Sequence, residues 1–106
     1  MAKTIFATAP DVETATSIIN SLVNNHLVAC GTIIPNVQSI YRWEGAVEHA
    51  NEVQMILKTD ADVTLVQKTF TDLHPYEVPE FVVVEITDGL PAYLDWVNKE
   101  STPPSS

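Results

Sequence analysis

Apolar residues recur along this chain with two alternating periods, one of two residues and one near 3.6. Residues 3–8, "KTIFAT", are rich in β-branched and aromatic types and read as a first strand. Pro10 and Asp11 then open a helix in which Val12, Ala15, Ile19 and Leu22 return at helical spacing, with Ile18 and Val23 widening the stripe. "NNH" at 24–26 ends it, because asparagine tolerates the left-handed conformation of a helix C-terminus. Residues 27–43 read as extended, with Pro35-Asn36 forcing a bulge or an edge position. A strand of that length would run about 50 Å, so a core half, "LVACGTII", is divided from an arm half, "VQSIYRW". "EGA" at 44–46 supplies a turn, and residues 47–59 return with "EVQMILK" as their core part. Residues 59–73 form a second helix, capped by Asp60 or Asp62, with Val63, Val66, Phe70 and Leu73 on one face.

"HPYEVPE" at 74–80 follows, and Pro75 and Pro79 push His74 and Val78 toward extended geometry. The stretch is first a rigid connector into "FVVVEI" at 81–86, which is apolar on both faces and reads as a central strand. "AYLDWVNKE" makes a final helix, and residues 101–106, "STPPSS", are expected to be a disordered tail after a single domain at 1–100.

The order β-α-β-β-α-β-α is an α+β, ferredoxin-like split β-α-β sandwich: an antiparallel sheet with both helices on one face, a long hairpin and an extra C-terminal helix. The other sheet face stays uncovered except where the last helix reaches it. An uncovered apolar face and projecting arms require a partner, and a second copy of the chain is the economical one.

The chain has 106 residues and a net charge of −9. Four lysines and one arginine cannot form a basic stripe, which argues against nucleic acid or anionic lipid as partner. Cys30 is the only cysteine, so no internal disulfide is possible, and no apolar run approaches the length of a membrane span. These features point to a soluble protein of a reducing compartment, with the cytoplasm as the expected location.

"VACGTIIPNVQSIYRWEG", then "EVQMILKT", "LHPYEVPE" and "YLDWV" closely resemble the CutA family of divalent-cation-tolerance proteins, in order and correctly spaced from Ile5 to about Lys99. The resemblance implies a homotrimer similar to the PII signalling proteins, with hairpins paired between subunits, and a link to metal tolerance, copper in particular. It also implies an intersubunit cleft lined by Cys30, Trp43, Glu52, Lys58 and Tyr76.

Read as residues, Trp43 and Tyr41 alternate onto one face of the arm and serve first as interface packing. Lys58 shares a strand face with Gln54 and Ile56 and needs a carboxylate or an anionic ligand. Glu52 lies six residues away, about 20 Å along a strand, so the two cannot pair within one strand. No cofactor is required, but copper or another divalent metal is the candidate ion. Soft donors for it are Cys30 and His74, with His26, His49 and Met55 as further candidates, brought together by a threefold assembly.

The expected function is a trimeric, non-catalytic protein of the divalent-cation-tolerance type. The alternative is a PII-like sensor binding a small anion near Lys58. An enzyme using His74 with Glu77 ranks last, because no nucleophile–base motif or phosphate-cradling glycine loop supports it.

Overall fold

A computed structural model describes residues 1–104. Seven elements follow in the order β1 (Lys3–Ala9), α1 (Val12–Asn24), β2 (Cys30–Trp43), β3 (Ala46–Thr59), α2 (Val63–Leu73), β4 (Val82–Glu85) and α3 (Pro91–Glu100). The four strands form one antiparallel sheet in the order β2-β3-β1-β4.

Strand alternation sorts this sheet into two faces. Ile5, Ala7 and Ala9 of β1 and Val53, Met55 and Leu57 of β3 are buried together with Ile18 and Leu22 of α1 and Val66 and Phe70 of α2. Gly31 lets α1 approach β2 closely, since a Cβ there would lie 2.7 Å from Cγ2 of Ile19. On the other face, a row crosses all four strands through Thr32, Ile56, Phe6 and Val82. Phe6 remains 37% exposed and Val82 51% exposed on that face.

The helix ends follow from local chemistry. Asp11 caps α1 by accepting a 2.7 Å hydrogen bond from the Thr14 amide. The α1 C-terminus closes with Leu27 N–H on Leu22 C=O at 2.9 Å and His26 N–H on Val23 C=O at 3.1 Å. The left-handed residue of this closure is His26, at φ 56°, rather than one of the asparagines. Asp62, not Asp60, caps α2. Asp60 and Ala61 form the link from β3, so the helix starts four residues later than the pattern suggests.

Three expectations are corrected. The segment 81–86 is not a central strand: β4 is a four-residue edge strand paired only with β1. Its apolar character on both faces reflects Val83 packing on the helix side while Val82 and Val84 lie on the uncovered side. Leu73, placed by periodicity on the buried face of α2, is 44% exposed because it is the last helical residue, beyond the edge of the core. The tail does not begin at 101. Ser101 is buried, and its hydroxyl accepts the Asp60 amide at 2.8 Å and donates to Val97 C=O. The final residues of the expected tail, 105 and 106, lie outside the described residues.

The long hairpin has the expected construction. The β2–β3 register shifts between Ile34 and Val37, at Pro35-Asn36, where Asn36 has φ 60°. Beyond that bulge, β2 and β3 pair only with each other out to Trp43↔Ala46. Glu44 and Gly45, at φ 49° and 82°, make a two-residue turn of the kind that matches strand twist.

Candidate functional site

This arm and the connector at 74–80 line a groove of about 690 Å³. Ser39, Ile40, Tyr41 and Trp43 come from β2, Glu52 from β3, and Tyr76, Glu77 and Glu80 from the connector. The two prolines keep the connector extended, and three hydrogen-bonding side chains fix its position.

The first is His74. Its Nδ1 receives the Tyr76 backbone N–H at 3.1 Å, so the ring proton sits on Nε2 and is donated to Thr8 C=O at 2.7 Å. The ring is buried between Phe70 and Tyr76, at centroid distances of 5.1 and 4.7 Å. Both nitrogens are therefore engaged, and neither offers a lone pair to an ion in this arrangement. The second is Tyr76, whose phenol donates a 2.6 Å hydrogen bond to Oε2 of Glu52. Burial, then that carboxylate, pushes the phenol's pKa well above its ordinary value. The third is Gln54, which donates to Ala7 C=O at 2.7 Å and reaches Glu80 at 3.4 Å.

Glu52 is only 8% exposed. Among the described residues no lysine, arginine or histidine forms an ion pair with it, and no basic residue lines the groove.

Cys30 and Lys58 are neighbours across β2 and β3, and both meet Tyr93 of α3. The Cys30 Sγ lies 3.7 Å from the Tyr93 hydroxyl, and the Lys58 Nζ lies 3.5 Å from it and 5.7 Å from the ring centroid. Lys58 thus packs as a cation against an aromatic face rather than against a carboxylate. This cluster is on the uncovered face, level with Thr4, whereas His74 binds Thr8 from the helix side. Four residues of β1 separate the two levels, on the order of 13 Å.

The residues expected to share one site therefore divide. Glu52 and Tyr76 meet in the groove, which Trp43 lines from the outer end of the arm, Cys30 and Lys58 meet at α3, and His74 acts as a positioning group behind Tyr76. A soft-metal site made of Cys30 and His74 of the same chain does not fit this geometry. No group of three or more His, Cys, Asp or Glu side chains converges on an ion position among the described residues. Sequence reasoning missed Tyr93, although it lies one turn from the buried Val97 on the same side of α3, and that spacing is the signal that could have found it.

Fold and groove together define a small ferredoxin-like α+β protein with a projecting hairpin and a groove between that hairpin and the connector. A family model for the CutA1 divalent ion tolerance protein matches residues 3–100. The divalent-cation tolerance protein CutA of Pectobacterium atrosepticum is 41% identical over 97 residues, covering 89% of this chain and 86% of that protein. The crystal structure of CutA from Xylella fastidiosa superposes with a TM-score of 0.92 at 40% identity, covering 95% of this chain and 98% of that one. A structure described as the periplasmic divalent cation tolerance protein CutA of Archaeoglobus fulgidus has a TM-score of 0.92 at 34% identity, covering 96% and 100%.

The chain belongs to the CutA1 divalent ion tolerance family. Its general role is in tolerance of divalent metal ions. No helix among the described residues is long and apolar enough to cross a membrane.

Proposed function

We propose that this chain serves divalent-cation tolerance as a non-catalytic, cytoplasmic homotrimer of PII-like design, with its arms and uncovered sheet faces packed between copies. The observation that carries this reading is the two-stranded arm. Ile40 is 64% exposed and Val47 56% exposed, and a lone two-stranded ribbon is marginal in water. The Phe6–Ile56–Val82 row extends the same apolar surface across the sheet. A charge placed in that row tests it. Phe6→Glu should shift sedimentation velocity from the wild-type trimer toward smaller species; an unchanged distribution would count against this face as the interface.

Copper binding, in this reading, draws on Cys30 from more than one subunit, because one chain provides no second soft donor beside it. Titration with Cu(I) should then saturate below one ion per chain, and Cys30→Ser should weaken Cu(I) binding more than Zn(II) binding. Equal Cu(I) binding by the variant would remove Cys30 from the site. The single free cysteine is what supports a reducing location.

The groove favours a second reading, a sensor whose clefts hold a small molecule. About 690 Å³ is within the usual range for a small-ligand site, and its lining is aromatic with a few convergent polar groups. An anion, however, would find its cation at Lys58 beside Tyr93, outside the groove.

A further inference from the structure

The wall of the groove has an unusual composition. Tyr41, Trp43 and Tyr76 supply aromatic surface, Glu52, Glu77 and Glu80 supply carboxylates, and among the described residues no lysine, arginine or histidine lines it. Within this wall Glu52 is the informative member. It is nine-tenths buried, one of its oxygens accepts the Tyr76 hydroxyl, and no other hydrogen bond reaches the carboxylate among the described residues. Lys58, the nearest lysine or arginine along its own strand, is six residues away, about 20 Å. No buried side-chain oxygen is left without a partner among the described residues, so the second Glu52 oxygen keeps access to the groove. An entering cation would find there an enclosed carboxylate with one neutral donor.

The lining also decides which kind of cation. A bare divalent ion needs about six oxygen ligands at short range, and among the described residues no three acidic or other metal-binding side chains converge on one ion position, the three groove carboxylates included. Aromatic faces do little for such an ion but attract an alkylammonium group, whose methylenes also lie well on apolar walls. The space exceeds what one ammonium head fills, and Glu77 and Glu80 lie exposed on the connector beyond Glu52. A second and third positive charge on a flexible chain would reach them.

We propose that the groove binds a linear aliphatic polyamine, with one ammonium on Glu52 against the aromatic wall and the others toward Glu77 and Glu80. This deepens the small-molecule reading of the same groove. The rival occupant is a basic side chain of a second copy, which would neutralise Glu52 without any ligand.

The test is isothermal titration of the intact wild-type oligomer with spermidine at low ionic strength, with light scattering on the same sample. Saturable binding is expected, weakened at least tenfold by Glu52→Gln, whose amide oxygen still accepts the Tyr76 hydroxyl. Tyr76→Phe should weaken it severalfold, whereas Glu85→Gln, an equal charge loss on β4, should change it less than twofold. Absence of binding, or equal binding by Glu52→Gln and wild type, overturns the proposal. An intact trimer that binds no spermidine sinks the polyamine site and leaves the assembly standing. Binding by a monomer supports the site and removes the assembly.

Discussion

The Tyr76 phenol donates a 2.6 Å hydrogen bond to the Glu52 carboxylate, which ties the connector to the base of the arm across 24 positions of sequence. Removing the hydroxyl leaves a nearly buried carboxylate without its donor. Tyr76→Phe should therefore lower stability by about 1–3 kcal/mol in urea unfolding. The same contact sets an alkaline limb. The phenol's folded pKa is raised above its ordinary 10.0, by burial first and then by Glu52, so the folded state holds the proton more tightly. That stabilisation is complete below pH 10 and is lost as pH rises through the folded value. Tyr76→Phe should flatten the decline above pH 10, and an identical limb in the variant would contradict this assignment.

His74→Ala should behave as a core lesion. It removes the bond to Thr8 C=O, leaves the Tyr76 N–H without its acceptor, and opens a void between Phe70 and Tyr76. A loss of about 2–4 kcal/mol is expected from denaturant midpoints. A neutral effect on stability would show that the ring is not holding the connector.

Much of the fold was legible because its signals are local. Asp11 before an apolar stripe, Pro35-Asn36 inside an extended run, and a glycine turn at Gly45 each act within a few residues, and each lies where expected. Position in the sheet is not local. "FVVVEI" reads as central from its apolar residues, yet nothing inside it records that β1 is its only neighbour. The candidate site was legible in the same partial way. Family likeness singled out Trp43, Glu52 and Tyr76, which line one groove, but also Lys58 and Cys30, which Tyr93 holds elsewhere. His74 looked like a ligand because one of its two hydrogen-bond partners, Thr8 C=O, is 66 residues away in the chain and is met only when the connector docks against β1. The other, the Tyr76 N–H, lies two residues on.

Ser101 carries a prediction that composition alone would reverse. A chain ending at Glu100 loses the hydroxyl that serves the Asp60 amide, whereas a chain ending at Thr102 retains it. The first truncation should be less stable than the second by about 1–2 kcal/mol, read from melting curves of the two. Equal melting would show that Ser101 does not anchor the C-terminal helix.

Asp60 should shape the acid limb. Its carboxylate accepts hydrogen bonds from the Met1 amino group and then from Asn98, both at 2.8 Å, which hold its pKa below the ordinary 3.8. The stabilisation is therefore full above about pH 4 and is lost as pH falls through the folded value. Asp60→Asn should unfold with a shallower pH dependence below pH 4 than wild type. Superimposable acid limbs would exclude Asp60 as a contributor.

The exposed arm and the uncovered sheet face rest on one claim, that three copies of the chain cover each other. Multi-angle light scattering behind size exclusion, at micromolar concentration, measures this directly. The account predicts a single species with three times the 11.7 kDa mass of one chain. A species of 11.7 kDa would contradict it.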